Sequence, residues 1–313
     1  MTIGGTWGTI LKIFSPEGTV PVELLSQQLI NGVSLGGVYA LEAVGFGLIF
    51  NVLKFSNFSH GGLVTLCAYL GFWISTNLTG NFWLAMILTT LVGGFAGFSV
   101  EKLVFRPIRI QGRPLTYFFV NSITMMMLIQ QFFAASYGDE YYTYPEFFQQ
   151  TVYRLGELVV SRTYVLMLLL SALALLFLTL FLKRTKMGIA IRAASSDIWT
   201  PSLMGVDVDR IISVTFFAAG SLAGLTGFFL GMTYSVTPFI GSLMLKGIIA
   251  AIVGGMGSLT GGVIGGVLLG SVESLLITQV GASVTPILIY ASIILLLLIR
   301  PQGIAGKLYE IKA

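Results

Sequence analysis

The chain has 313 residues, of which 55% are hydrophobic and 10% are charged, and its mean hydropathy is +0.90. A soluble domain usually carries about a quarter of charged residues and cannot pack so large an apolar surplus inside its core. The composition therefore excludes an ordinary soluble protein and predicts a polytopic protein of the lipid bilayer. The net charge of +4 is modest, and its placement along the chain is more informative than its sum.

The apolar segments are long and continuous, without the alternation of apolar and polar residues that marks the strands of a membrane barrel. Because unpaired backbone groups are costly in lipid, we predict helices. The expected fold class is an all-α polytopic membrane protein with about eight or nine transmembrane helices, including broken or re-entrant segments. The predicted spans cover residues 24–50, 61–79, 82–103, 115–136, 162–182, 210–234, 245–257, 260–279 and 283–300. The seventh is too short to cross the membrane alone.

The first span is followed by the polar stretch Lys54–Gly62, KFSNFSHGG, which holds the only histidine of the chain. One interpretation is a helix break that lines a transport pathway, with Asn57, Ser59 and His60 facing water. A tie between neighbouring spans and a plain loop at the cytoplasmic surface are the alternatives. Glu42 lies within the first span and is the best single candidate for a pathway-facing charge, because ionisable residues in the bilayer are expensive and usually functional.

The placement of charged residues predicts the topology. Lys and Arg cluster in 101–114, in 183–210 and in the tail from Arg300, whereas 137–161 is acidic and rich in Tyr and Phe. The positive-inside bias places the three basic segments in the cytoplasm and the acidic segment outside. The first span then runs inwards, and the sixth runs outwards.

This topology divides a single transmembrane domain, residues 1–313, into two halves of opposite orientation. The halves cover 24–136 and 210–300, and the span 162–182 links them. Each half begins with a glycine-containing span and a polar interruption, KFSNFSHGG in the first and SVTPFIGS in the second. Inverted repeats are typical of transporters, whose solute sites lie near the membrane midplane where helices break.

The motifs of catalysis are absent from the sequence. The stretch GGMGSLTGG, Gly254–Gly262, has no P-loop lysine, so we do not expect the chain to hydrolyse ATP. One His and one Cys, Cys67, cannot assemble a zinc site or a Cys-His nucleophile. We therefore expect no enzyme activity, no cofactor, no metal and no nucleic-acid partner.

Charged residues that the prediction places within the membrane are few. Besides Glu42 they are Glu101, Lys246 and Glu273, and the two glutamates lie closer to span ends, where they could reach water. Ion-driven carriers generally need buried titratable groups. A proton- or sodium-coupled secondary transporter of a small polar solute therefore stays open as an alternative.

The cytoplasmic segment 187–210 mixes small, polar and apolar residues. Its Thr-Pro pair can cap and begin a short helix that stops at Gly205. On that helix the apolar side chains of Leu203 and Met204 would be exposed to water, which is unfavourable unless another surface covers them. Docking into the groove of a partner would explain it, and a loop packed on its own bundle is the alternative.

Three stretches carry a family resemblance: Asn31–Gly71 with its N-F-x-H-G element, Met187–Gly231, and Lys246–Ser274 with the run GGMGSLTGGVIGG. They closely resemble the permease subunits of the branched-chain amino-acid ABC importers, and the likeness covers most of residues 24–303. The resemblance implies a multi-pass permease of the prokaryotic plasma membrane. Its expected partners are a second permease, identical or homologous, cytoplasmic ATP-binding cassette subunits that bind the ATP, and a periplasmic or extracellular solute-binding protein.

The resemblance also implies a coupling site for the ATPases, because ABC permeases present a coupling helix in this cytoplasmic segment. The candidate residues are Ala193, Asp197, Leu203, Met204 and Gly205. The family's Ala-x-x-x-Gly-like element is matched by residues 201–205, with proline in place of alanine.

Two departures from the family pattern bear on the solute. Ser59 stands where the family usually has alanine, and Asn121–Gln131 is rich in methionine where smaller residues are expected. Relatives in this broad family also carry urea, short amides and other small polar molecules. The sequence therefore leaves the solute open between these and a branched-chain amino acid.

Overall fold

The computed structural model describes residues 22–138, 140–148, 152–155, 158–198, 202, 204–300 and 302–305. The helices in these ranges are α1 (Val22–Leu53), α2 (Ser59–Trp73), α3 (Phe82–Val100), α4 (Arg106–Ile110), α5 (Leu115–Tyr137), α6 (Arg162–Arg184), α7 (Lys186–Ser196), α8 (Val208–Thr233), α9 (Met244–Gly254), α10 (Leu259–Val280) and α11 (Thr285–Ile299). The π turn Ile74–Leu78 extends α2, the π turn Glu101–Phe105 joins α3 to α4, and the 3₁₀ turn Ile240–Leu243 leads into α9. The strands β1 (Val152–Leu155) and β2 (Leu158–Ser161) form one antiparallel hairpin.

Seven helical stretches of the described residues are long and apolar enough to cross a membrane. They cover Leu25–Leu53, Ser59–Leu78, Phe82–Ile110, Leu115–Tyr137, Arg162–Arg184, Val208–Thr233 and Leu259–Val280, and two shorter apolar helices cover Ile240–Gly254 and Thr285–Ile299. These nine correspond to the predicted spans, so the all-α polytopic membrane fold is confirmed. The third span differs most, because it continues past residue 103 to Ile110 through its π turn.

Two antiparallel helix pairs form the centre of the bundle. α1 packs along α10, and α8 packs along α3. A Cβ atom on Gly36 would lie 2.7 Å from the Cα of Val267, and one on Gly224 would lie 2.9 Å from the Cα of Thr90. The backbones of each pair therefore touch directly, as small residues at helical spacing allow in lipid.

The shorter helices pack on this centre in a matching pattern. α2 packs on α8, and α9 packs on α1. If α1, α2 and α3 are exchanged with α8, α9 and α10, the pattern of main contacts is unchanged. Two halves related by a pseudo-two-fold axis would produce this pattern.

The spans differ in how much of their surface is covered. α1 and α8 are largely buried, whereas α5 and α6 present broad apolar faces at the perimeter of the bundle. Phe177 of α6, for example, is 73% exposed. An apolar surface of this size is stable against lipid and would be unstable in water.

Part of the predicted outer loop folds back onto the bundle. The hydroxyl of Tyr144 donates a 2.8 Å hydrogen bond to the carbonyl of Ala68 in α2, and the backbone of Tyr142 pairs with that of Val236. Burial raises the pKa of the Tyr144 hydroxyl well above its ordinary value, so this residue stays a neutral donor. The segment 140–148 is thereby tied to both α2 and the second polar interruption. Asp139 and Glu157 of this loop lie outside the described residues.

Candidate functional site

The first polar interruption is a sharp turn that returns the chain into the bundle. α1 ends at Leu53, and Lys54 has a φ of 57°, the one positive φ among the described non-glycine residues. The Lys54 ammonium donates a 2.7 Å hydrogen bond to the carbonyl of Ser195 at the end of α7. This contact joins the break to the cytoplasmic segment that carries the predicted coupling residues.

Asn57 holds the first turn of α2. Its Oδ1 accepts from the backbone N–H of Ser59 at 3.2 Å and from the Ser59 hydroxyl at 2.7 Å. An asparagine side chain commonly satisfies the free N–H groups at a helix start in this way. The polar residues of KFSNFSHGG are therefore needed in part to begin a helix inside apolar surroundings.

The four candidate pathway residues are all buried. Asn57, Ser59 and His60 are 0% exposed, and Glu42 is 1% exposed. Burial of this degree is not that of a plain loop at the cytoplasmic surface. Of the three interpretations of this stretch, the pathway lining and the tie between spans remain.

Glu42 and His60 face each other across the α1–α2 break. His60 Nε2 lies 3.7 Å from Glu42 Oε1, which is beyond a direct hydrogen bond. Within the described part of the chain, neither carboxylate oxygen and neither ring nitrogen has a hydrogen-bond partner. Buried polar groups are nearly always paired, so an unpaired acid and imidazole side by side need an explanation.

Two glycines make room for this pair. A Cβ atom on Gly45 would lie 2.7 Å from the His60 ring, and a Cβ atom on Gly247 of α9 would overlap the Glu42 side chain. Glu42 lies 11 residues before the end of α1 at Leu53, about 17 Å at the rise of an α-helix. The pair is therefore deep within the bundle, where α1, α2 and α9 meet.

The two polar interruptions contact each other. The Thr65 hydroxyl accepts a 3.1 Å hydrogen bond from the N–H of Gly241 in the 3₁₀ turn. A Cβ atom on Gly61 would lie 2.8 Å from the Met244 sulfur, so the backbone of α2 passes close to the start of α9. KFSNFSHGG and SVTPFIGS, which the sequence pairs by their position in each half, thus lie side by side.

Glu101 and Glu273 do not reach water as their positions near span ends suggested. Glu101 is fully buried, accepting from Arg109 at 2.9 Å and from the Ser213 hydroxyl at 2.7 Å. Glu273 is 5% exposed and is ion-paired with Lys246 of α9. The sequence could not reveal Ser213 and Lys246 as partners because they come from other helices. Arg109 was not connected with Glu101 because the predicted third span ended at residue 103.

The ionic cluster around Glu101 also ties the start of α8 to α4. Arg109 also donates to Asp209 at 2.8 Å, and Arg106 donates to Asp209 at 2.7 Å. A cleft of about 430 Å³ opens beside it, and its lining residues include Lys54, Arg109, Arg113 and Asp197. The charged side chains of this cleft are three basic and one acidic, the rest of its lining is mostly apolar, and it lies next to the end of α7.

The predicted coupling residues lie on and after α7. Ala193 is half-buried in α7, and Asp197 directly follows the helix and is exposed. Met204 is 80% exposed, and Gly205 has a φ of 76°, which suits a glycine at a helix stop. Leu203 lies outside the described residues, as do the threonine and proline proposed to begin the short helix.

The fold and the site together define a class of protein. A helical bundle with spans interrupted around a buried polar centre has the architecture of a membrane transporter. The chain belongs to the family described as the permease component of the branched-chain amino acid transport system, whose model matches residues 28–299. It is a multi-pass membrane protein of that family.

Individual relatives support this membership over nearly the whole chain. The chain is 32% identical over 304 residues to the high-affinity branched-chain amino acid transport system permease protein LivH of Escherichia coli, and 31% identical over 295 residues to LivH of Salmonella typhimurium. It is 31% identical over 297 residues to the permease protein BraD of Pseudomonas aeruginosa. Each alignment covers 90% of this chain and 95% of the relative. No solved structure gives a significant match.

Proposed function

We propose that this chain is the membrane permease subunit of an ABC importer that carries branched-chain amino acids or a related small polar solute across a prokaryotic plasma membrane. The family match over residues 28–299 carries the proposal. The relatives named above are permeases of high-affinity branched-chain amino acid transport systems and align with nearly all of the chain. ATP is bound and hydrolysed by separate cytoplasmic subunits, and a solute-binding protein delivers the solute from outside.

The solute path of this proposal passes the α1–α2 break. Glu42 and His60 have unpaired polar atoms at the buried point where both interruptions meet. When the helices around the break separate, these atoms become available to water or to the polar groups of a solute. Neutral His60 can donate from one ring nitrogen and accept at the other, which suits a zwitterion or an amide.

The coupling surface of this proposal is the segment 193–205. Met204 supplies an exposed apolar side chain that an ATPase groove would cover. Lys54 contacts Ser195 and also belongs to the α1–α2 break, so a displacement of this segment reaches the break directly. Opening at the cytoplasmic side would then follow ATP binding and hydrolysis by the partner subunits.

Purification from native membranes tests the assembly. The tagged chain should copurify with ATP-binding cassette subunits and with a second permease, identical or homologous, and the complex should bind a solute-binding protein. The alternative is an ion-coupled secondary transporter, for which the buried Glu42–His60 pair would serve as the titratable group. A chain that purifies alone and still catalyses uptake along a proton or sodium gradient would establish that alternative.

A further inference from the structure

A second polar cluster lies at the junction of α9, α10 and the outer half of α1. The Lys246 ammonium contacts Glu273 Oε1 at 2.5 Å and donates to the Tyr39 hydroxyl at 3.1 Å. The Tyr39 hydroxyl lies 3.5 Å from that of Tyr234, at the end of α8. The cluster thus presents one cationic group, one anionic group and two phenols.

The depth of this cluster follows from the position of Glu273. It lies 14 residues after the start of α10 at Leu259, about 21 Å along the helix. The side chain of Asn51, near the end of α1, bonds to the carbonyl of Gly257, so α10 begins at the cytoplasmic side of the predicted topology. The cluster therefore belongs to the outer half of the membrane, where the second interruption ends and α9 begins.

The Lys246 side chain is not fully covered by the described residues. It is 21% exposed, whereas that of Glu273 is 6% exposed. An ammonium at this depth is too costly to face hydrocarbon, so its exposed part faces water or another protein. The second carboxylate oxygen of Glu273 is buried and has no hydrogen-bond partner in the described part of the chain. Such a pair has unused bonding capacity for a ligand.

We propose that Lys246 and Glu273 form a recognition site for a zwitterionic solute, in which Lys246 binds the solute carboxylate and Glu273 binds the solute ammonium. This proposal rests on the proposed importer function and assigns its solute class. An α-amino acid carries its ammonium and its carboxylate on the same carbon atom, so it can replace the internal ion pair without leaving either protein charge unpaired. A neutral sugar or amide offers no such exchange, because separating the pair would leave both charges unpaired at a cost of desolvation.

The contacts of Lys246 with Tyr39, and of Tyr39 with Tyr234, place the site beside the second interruption. Tyr39 is 1% exposed, and the Lys246 ammonium lies 5.3 Å from the centre of its ring. This contact and the hydrogen bond fix the ammonium at the edge of the cluster. Tyr234 directly follows α8 and immediately precedes the second interruption, so movement of this interruption would change the geometry of the site.

Uptake by the reconstituted importer tests the role of the charges. With saturating leucine-loaded binding protein, the double variant Lys246→Met/Glu273→Gln should lose uptake by about tenfold or more, because both charge-assisted contacts to the solute are removed. ATPase stimulation by the loaded binding protein should persist. The matched control is Ser274→Ala, next to Glu273 on α10. This change removes the hydrogen bond that the Ser274 hydroxyl donates to Gln28 of α1, and the variant should transport normally.

The reversed pair Lys246→Glu/Glu273→Lys distinguishes recognition from a structural role. A purely structural pair would be restored by the reversal, with normal uptake and melting temperature, and that result would overturn the proposal. If the pair recognises the solute, the reversed variant presents its two charges in the wrong order for the solute and should remain unable to transport it. If the wild-type importer shows no ATP-driven uptake, the proposed function itself fails. Normal uptake by the double variant with an active wild type defeats only the assignment of this site.

The reactivity of a cysteine introduced beside the site gives a second readout. This readout does not require the charge-altered variants to fold. Ser242→Cys, at an exposed position about one turn before Lys246, leaves both charges in place. In a Cys67→Ala background it should react with a water-soluble methanethiosulfonate in the assembled importer, and millimolar leucine should slow the reaction. Isopentylamine and 4-methylpentanoate, which lack one charge each, should protect less. A cysteine at 242 that never reacts, or that leucine does not protect, would contradict the proposal.

Discussion

Neutralising the Glu42–His60 pair separates a pathway role from a structural role. His60 Nε2 and Glu42 Oε1 are 3.7 Å apart, and neither side chain has a hydrogen bond in the described part of the chain. A structural hydrogen bond would contribute about 1–3 kcal/mol when its loss leaves a buried group unpaired. Because no such bond is made here, we expect Glu42→Gln and His60→Gln to change the free energy of unfolding by less than about 1 kcal/mol.

Transport should respond much more strongly than stability. We expect either variant to reduce the rate of solute uptake per folded molecule by about tenfold, the equivalent of one lost charge-assisted contact of roughly 1.4 kcal/mol in the transport step. The double variant should lose little more than each single variant, since the two side chains form one unit. Ser34→Ala is the matched control, because Ser34 is also buried in α1 and its hydroxyl donates to the carbonyl of Ile30 in its own helix.

The assay measures uptake and melting temperature on the same purified preparations. Normal uptake together with a strongly lowered melting temperature would refute the pathway role and establish the pair as a tie between α1 and α2. Normal uptake and a normal melting temperature would show that the unpaired atoms have neither role.

Three further predictions concern coupling, topology and packing. The double variant Leu203→Asp/Met204→Asp should release the ATPases from a still folded permease, whereas Met204→Leu should retain them. Copurification measures ATPase binding in both variants. Unchanged binding by the double variant would contradict the coupling assignment. In a Cys67→Ala background, Tyr141→Cys, at a position 77% exposed, should react with an impermeant thiol reagent on intact cells, and Gln111→Cys should react only after lysis; the reverse pattern would invert the topology. Gly36→Ala should destabilise the protein by about 1–3 kcal/mol, because its Cβ would meet the α10 backbone. Gly47→Ala, whose Cβ would have no atom of the described residues within 4 Å, should not lower the melting temperature; equal effects of the two would contradict the packing argument.

The fold was largely predictable because each span is encoded locally. Continuous apolar runs predict helices in lipid whatever their neighbours are, and every predicted span has a helix in the structure. The short polar stretches were equally informative, since KFSNFSHGG and SVTPFIGS both lie where one helix ends and the next begins. The extension of the third span to Ile110 was missed because the basic residues after 103 resemble a loop, although their arginines pair with acids on other elements.

The site was predictable only in part. Glu42 and His60 could be singled out by their chemistry, but their proximity depends on the turn at Lys54 and on the glycines at 45 and 247. The pair Lys246–Glu273 was invisible as a pair, because 27 residues separate its members and the intervening turn sets their alignment. Contacts between helices are not encoded by the period of either helix alone.

The most direct test of the importer assignment is the energy source of transport. The chain should be reconstituted into liposomes with its copurifying permease and ATPase subunits, with leucine-loaded binding protein outside and ATP inside. Proton and sodium gradients are collapsed with ionophores. We predict leucine accumulation that requires ATP, the ATPase subunits and the binding protein, and that persists without ion gradients. Accumulation that needs a gradient and proceeds without ATP would contradict the account.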